Sequence, residues 1–103
     1  MARKVVWTQT ARNQRRSILE YWTNRNKSTE YAKKLISITR NKLKLISQNP
    51  YLAKEADFPD TRVSAMGHFS IFYKIEESRI IVTALWDNRQ DPKKLLKIIK
   101  NAG

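Results

Sequence analysis

Three basic side chains, Arg62, His68 and Arg89, are the groups in this chain best suited to acid–base or phosphoryl chemistry. Histidine changes charge close to physiological pH, so His68 is a candidate general acid or base, although a lone histidine after a turn is often merely exposed. Arg89 directly follows an apolar run and precedes a helix signal. An arginine held there can clamp a phosphate or stabilise developing charge. It can equally pair with Asp87 or Asp91 and pin the turn.

Other chemistries lack the residues that they need. The chain has no cysteine and one histidine, and its adjacent acids Glu76 and Glu77 are typical of a hairpin turn, so no metal site is expected. The only glycines, Gly67 and Gly103, exclude a glycine-rich phosphate loop. No spacing brings a serine, His68 and an aspartate together as a hydrolytic triad. We therefore expect no metal ion and no small-molecule cofactor.

The charge is strongly one-sided. The chain has 21 lysines and arginines against 9 acids, a net charge of +12, and 12 of the bases but only 2 of the acids lie in residues 1–50. Such a field attracts polyanions, so nucleic acid, a ribosome or an acidic protein is the expected partner. Lys54, Arg40 and Lys44 are candidate nucleic-acid contacts. Arg15 and Lys42 project toward apolar stripes, which indicates either snorkelling side chains or flanks covered by a partner.

The size and composition predict one domain over residues 1–103. The N-terminal residues lack the apolar run and small-residue cleavage site of a secretory signal, and no stretch is long and apolar enough to span a membrane. We therefore expect a cytoplasmic protein with no membrane partner.

The first half of the chain has helical periodicity after one short strand. Residues 4–7 predict a strand, and Thr8 or Thr10 can cap a helix that ends near Lys27. Ser28 or Thr29 can cap a second helix over residues 31–48, which ends before a proline. Its predicted apolar stripe comprises Tyr31, Ala32, Leu35, Ile36, Ile38, Thr39, Leu43, Leu45 and Ile46. Lys33, Arg40 and Lys44 lie on the opposite side.

The second half has strand periodicity. Residues 51–60 are predicted as a loop, 62–66 and 68–75 as strands, and 79–86 as a central strand covered on both faces. Asp91 can cap a last helix that carries Leu95, Leu96, Ile98 and Ile99. The order β-α-α-β-β-β-α predicts an α+β fold in which a helical hairpin packs on a small, mainly antiparallel sheet.

This order, with the segments AMGHFSIFYKI (65–75) and IIVTALWDNRQDP (80–92), resembles the RelE/ParE superfamily of bacterial type II toxins. Asn49-Pro50-Tyr51 is similar to the segment that follows the second helix in that superfamily. The resemblance implies a toxin domain that slows growth and is neutralised by an antitoxin encoded beside it. It also implies one of two targets. ParE-like members poison DNA gyrase, and RelE-like members cut mRNA on the ribosome without a metal.

The residues of RelE-like nucleases are only partly present. Arg89 matches the arginine after the last strand, but the strand arginine of the nucleases falls near Ser70 and their C-terminal tyrosine near Leu95 or Leu96. Lys54, Arg62 and His68 are possible substitutes. The missing residues favour a ParE-like gyrase poison, with a metal-independent endoribonuclease as the alternative. A third class, a plain nucleic-acid-binding module, would explain the charge but not the order of elements.

The expected antitoxin site is an apolar groove on the second face of the sheet. Phe72 points away from the face of Phe69, Ile71 and Tyr73, and a single C-terminal helix covers its side poorly. We expect an acidic, amphipathic antitoxin segment to fill this groove, with Phe72, Trp86 and Leu96 at the contact.

Overall fold

The computed structural model describes residues 2–91, 93–95 and 97. Its elements are β1 (Lys4–Trp7), α1 (Gln9–Asn26), α2 (Glu30–Gln48), a 3₁₀ turn (Pro50–Leu52), β2 (Lys54–Glu55), β3 (Arg62–Met66), β4 (Phe69–Ile75) and β5 (Arg79–Asp87). The five strands form one sheet in the order β1-β5-β4-β3-β2, in which only β1 and β5 run parallel. The α+β fold with a helical hairpin on a mainly antiparallel sheet is therefore confirmed.

The helical hairpin begins and turns at residues with capping chemistry. The Thr8 hydroxyl accepts a hydrogen bond from the Ala11 amide at 3.1 Å, so Thr8 and not Thr10 caps α1. Lys27 ends α1 in the left-handed conformation, at φ 49°. Between the helices, the Ser28 hydroxyl accepts from the Glu30 amide at 3.2 Å, whereas Thr29 makes no side-chain cap. In the described residues, no helix is long and apolar enough to cross a membrane.

The buried face of α2 is narrower than its apolar stripe. Leu35, Leu43 and Ile46 are buried against the sheet. Ile36, Ile38 and Leu45 belong to the same predicted stripe but are 39%, 41% and 59% exposed. A straight helix rests on a sheet along one line of contact, so the flanks of a broad stripe stay in solvent.

The alternation along β4 places its side chains in two layers. Phe69, Ile71, Tyr73 and Ile75 pack under the helices in the main core, as predicted. Phe72 points to the other face, in a second cluster with Ala84, Trp86 and Leu95. The central strand β5 supplies buried residues to both layers, as the unbroken apolar run predicted.

The structure corrects the prediction that residues 51–60 form a plain loop. This segment contains the last two residues of the 3₁₀ turn and the two-residue strand β2, in which Lys54 pairs with Val63 and Glu55 with Arg62. Two residues are too few for an alternation signal. The strand forms because its backbone pairs with the free edge of β3. No pattern within residues 51–60 themselves predicts that pairing.

The same segment also corrects the prediction of an open groove over Phe72. The Phe58 ring meets the Phe72 ring edge to face, with centroids 5.7 Å apart, and Phe72 is only 8% exposed. Ala56 and Val63 pack on the same cluster. The prediction assigned cover of this face to the last helix alone and did not allow for the chain between Ala56 and Val63 crossing it.

The last helix begins as its capping signal predicted. The Asp91 carboxylate accepts from the Lys93 amide at 2.9 Å, and residues 93–95 and 97 are helical. Leu95 is buried in the second cluster. The predicted contacts of Leu96, Ile98 and Ile99 lie outside the described residues.

Candidate functional site

The end of β5 holds Arg89 against an acid and an aromatic ring. The Asp87 carboxylate accepts from the Arg89 amide at 2.9 Å, from Nε at 2.8 Å and from Nη2 at 2.7 Å. The guanidinium also lies 5.1 Å from the centre of the Trp22 ring and 5.9 Å from that of Phe69. Of the two roles considered for Arg89, local pairing is therefore the one that this structure adopts.

The electrostatics of this pair favour both charged forms. The hydrogen bond from Arg89 is the main cause that lowers the pKa of Asp87 below its ordinary value. The same bond raises the pKa of Arg89. The pair is thus fully ionised at neutral pH, and a guanidinium held by a bidentate carboxylate has much of its hydrogen-bonding capacity already used.

A cleft of about 550 Å³ opens beside this pair. We call it the Trp22–Arg89 cleft, and its lining residues are Ser17, Ile18, Tyr21, Trp22, Arg25, Asp87, Arg89 and Gln90. Trp22 is the centre of an aromatic cluster, since Tyr21 and Tyr31 lie 5.2 Å and 5.1 Å from it between ring centroids. Arg25 approaches the same ring at 6.0 Å. The cleft therefore offers two arginines and an aromatic platform to a partner.

Sequence reasoning missed Trp22, Arg25 and Tyr21 as parts of a site. The usable signal was the close spacing of two aromatics and an arginine in the last turns of α1. Their meeting with Arg89, 64 or more residues further along the chain, depends on the docking of α1 on β5.

The remaining nuclease candidates lie at opposite ends of the strands β3 and β4. The His68 carbonyl accepts from the Asn88 amide at 2.8 Å, and the His68 side chain is near enough to lower the pKa of Asp87, as the smallest contributor. His68 and Arg89 thus share one corner. Ser70, the position of the nuclease strand arginine, donates its hydroxyl proton to the Asn88 side-chain oxygen at 2.8 Å.

Arg62 is not part of this corner. It pairs with Tyr73 at one end of the β3–β4 ladder, whereas Met66 and Phe69, next to His68, form the other end. Four residues of strand separate the ends by about 13 Å. Arg62 donates to the carbonyls of Tyr51 and Ala53 at 3.2 and 2.7 Å, which makes it a brace for the 3₁₀ turn.

The three candidate nucleic-acid contacts, Arg40, Lys44 and Lys54, do not lie on one surface. Arg40 and Lys44 face one cleft of about 680 Å³, which we call the β1–α2 cleft. It is lined by Val5, Trp7, Arg15, Leu19, Ile36, Thr39, Arg40, Leu43 and Lys44. Lys54 lies on β2, at the opposite edge of the sheet from β1. Within residues 2–91, 93–95 and 97, no group of three or more histidine and acidic side chains is placed to hold a metal ion.

Comparison with known proteins shows which family has this sequence pattern and which solved structure has a similar fold. A family model described as "ParE toxin of type II toxin-antitoxin system, parDE" matches residues 5–92. A solved structure titled "Chromosomal ParDE TA system from P. aeruginosa" has the same fold, with a TM-score of 0.69 and 16% identity over 82% of this chain and 94% of that one. A search of curated proteins found no significant match.

Proposed function

The chain belongs to the ParE toxin family of type II toxin–antitoxin systems, and from this premise we propose that it is a ParE-like poison of DNA gyrase held inactive by an acidic antitoxin. The alternative within the same superfamily is a ribosome-dependent, metal-independent endoribonuclease. The two functions need different surfaces. A gyrase poison needs a protein-binding surface, whereas a nuclease needs free cationic and acid–base groups around a scissile phosphate.

The main observation behind the proposal is that Arg89 is held in an ion pair with Asp87. It is the one residue that matches the nuclease set, and its guanidinium is bound twice by Asp87, at 2.8 and 2.7 Å. A negative charge beside the scissile phosphate would also oppose binding of RNA. Ser70 stands where the nucleases carry an arginine, and Arg62 lies at the far end of β3. The described residues therefore offer a poor site for phosphoryl transfer.

The Trp22–Arg89 cleft supports a protein-binding role for the same corner. Tyr21 is 55% exposed and the Arg89 side chain is 45% exposed. Tyrosine, tryptophan and arginine are the residue types that contribute most to protein–protein binding. We therefore assign the gyrase contact to this cleft.

The experiment compares two activities of the purified chain. We expect inhibition of gyrase supercoiling, and no cleavage of mRNA in translating ribosomes. The Arg89→Ala variant should weaken the inhibition. Arg79→Ala is the matched control, because Arg79 makes a similar surface pair with Glu76, at 2.7 Å, away from the cleft.

The nuclease alternative predicts the reverse pattern. In that case the wild-type chain would cut mRNA and leave supercoiling unaffected. Removing one charge-stabilising donor would slow the cut by about a hundredfold or more. Arg89→Ala would then abolish cleavage while Arg79→Ala would not, and the gyrase proposal would be wrong.

A further inference from the structure

The last part of β5 has a strand neighbour on one side only. β5 has nine residues, and β1 pairs with the first four of them, Arg79–Val82. Since β1 ends at Trp7 and α1 begins at Gln9, a helix and not a strand lies beside residues 83–87 on that side. A groove of about 340 Å³ runs between α1 and this part of β5.

We call this channel the α1–β5 groove, and its lining residues are Thr10, Asn13, Gln14, Ser17, Ile18, Leu85, Trp86, Asp87 and Gln90. Four of them also line the Trp22–Arg89 cleft, namely Ser17, Ile18, Asp87 and Gln90. The groove and the cleft are therefore one continuous channel. Between Thr10 and Arg25 it follows about 22 Å of helix, the length of roughly six or seven extended residues. The β1–α2 cleft lies on the other flank of α1, at Arg15 and Leu19.

Main-chain groups of β5 point into the α1–β5 groove. The Leu85 amide donates to the Gln14 side-chain oxygen at 2.9 Å, so it points away from β4. In an antiparallel pair the amide and the carbonyl of one residue point to the same side, and those of every second residue do so too. The Leu85 carbonyl and the Asp87 amide therefore face the groove. Neither has a hydrogen-bond partner within the part of the chain that the structure describes.

The Gln14 side chain takes the place that a neighbouring strand would have. Its oxygen holds the Leu85 amide, but its Nε2 atom is buried and bonds to none of the described residues. A buried donor without an acceptor is destabilising. An extended chain in the groove would offer a carbonyl to Gln14 Nε2 and would pair with the Leu85 carbonyl and the Asp87 amide. The polar groups of the groove thus match a peptide backbone.

The charges at the cleft end of the channel favour an acidic side chain in the occupant. Asp87 and Arg89 neutralise each other at 2.7 Å, and their pairing uses Nε and Nη2 of Arg89 but not Nη1. Arg25 is exposed, and its guanidinium is 3.5 Å from the Tyr21 hydroxyl and 6.0 Å from the Trp22 ring centre. The ion pairs of the described residues do not include Arg25. This end therefore has a net positive charge that a carboxylate would complement.

We propose that an extended segment of the target protein binds along the α1–β5 groove, with its main chain paired to the end of β5 and an acidic side chain at Arg25. Backbone pairing supplies affinity in this binding mode, and the side-chain contacts supply specificity. Tyr21 and Trp22 pack against the residues next to the acid. This proposal rests on the proposed function, because the groove continues into the cleft to which the gyrase contact is assigned.

The first test fills the groove and measures the dissociation constant of the complex with purified gyrase. Ser17→Trp places a large ring where the groove meets the Trp22–Arg89 cleft and should weaken binding by about tenfold or more. Asn24→Trp is the matched control, since Asn24 is also an exposed polar residue of α1 but lines neither cavity, and it should bind like wild type. Both positions are exposed, so both variants should melt like wild type.

Two results of this test would overturn the proposal. One is a Ser17→Trp variant that binds gyrase as tightly as Asn24→Trp does. The other is a Ser17→Trp variant that loses affinity for the co-expressed antitoxin while its gyrase binding stays intact, because the antitoxin would then be the occupant.

The second test reverses one charge and follows the same complex. Arg25→Glu should weaken gyrase binding by about tenfold or more, mainly by slowing association. Arg16→Glu is the matched control, because it makes the same change at an exposed arginine of α1 outside both cavities. Equal weakening by the two variants would reduce the effect to net charge and overturn the proposed contact. A wild-type chain that does not bind gyrase would overturn the proposed function as well, whereas wild-type binding that neither Ser17→Trp nor Arg25→Glu weakens would overturn this inference alone.

Discussion

The hydroxyl of Tyr73 ties the sheet to the segment that follows α2, and its removal should be measurable in two ways. Tyr73 is 0% exposed in the middle of β4, and its hydroxyl donates to the Pro50 carbonyl at 2.7 Å. Pro50 is itself buried. Tyr73→Phe keeps the ring and its packing but leaves the carbonyl without this donor.

The magnitude follows from that geometry. A hydrogen bond contributes about 0.5–1.5 kcal/mol net, and a buried acceptor left unsatisfied adds to the loss. We expect Tyr73→Phe to lower the free energy of unfolding by about 1–2 kcal/mol. For a domain of this size the midpoint should fall by about 4–16 °C in a thermal melt followed by circular dichroism.

The pH dependence gives an independent check. Burial raises the pKa of Tyr73 above its ordinary value of 10.0, so the folded state holds this proton more tightly than the unfolded state. The resulting stability is intact below pH 10 and is lost as the pH rises through the folded pKa. The stability gap between wild type and Tyr73→Phe should therefore narrow above pH 10.

The control is Tyr21→Phe, because Tyr21 is 55% exposed and its hydroxyl accepts only a long hydrogen bond of 3.5 Å from Arg25. Its unfolding free energy should change by less than about 0.5 kcal/mol. A Tyr73→Phe variant as stable as wild type at pH 7, or a gap that stays constant to pH 11, would refute the reasoning.

Two further changes test the helices. Leu35→Asp places a carboxylate at a position that is 5% exposed and should cost several kcal/mol, enough to unfold most of the protein. Ser37→Asp, on the exposed side of α2, should leave the melt nearly unchanged, and equal stability of the two would show that α2 is not core. Thr8→Ala should cost about 1 kcal/mol in urea unfolding through the lost cap. Thr10→Ala lies inside α1 and should be neutral or slightly stabilising, so the reverse order would contradict the assignment of the cap.

The parts of the fold that sequence could predict are those governed by local periodicity and capping. The α2 stripe, the alternation along β4 and the Asp91 cap all depend on residues within a few positions of each other. The two-residue strand β2 and the cover of Phe72 by Phe58 depend on contacts across the sheet. No local pattern encodes them, and both were missed.

The candidate site likewise has features that the local sequence predicts and features that depend on distant contacts. Arg89 could be singled out because a strand end beside a helix start is visible in the sequence. Its choice of Asp87, and not Asp91, is set by side-chain geometry at the end of β5. The meeting of Arg89 with Trp22, and the separation of Arg62 from His68, depend on how α1 and β3 are placed. The predicted contacts of Phe72 and Trp86 with an antitoxin stay predictions.

DNA cleavage by gyrase in the presence of the purified chain is the most direct measurement of the central claim. Plasmid DNA, gyrase and ATP are incubated with the chain, and the reaction is stopped with detergent to trap broken DNA. A gyrase poison should cause linear plasmid to accumulate with toxin concentration, and equimolar antitoxin should prevent it. Intact plasmid in this assay, together with mRNA cut in ribosomes by the same preparation, would contradict the account.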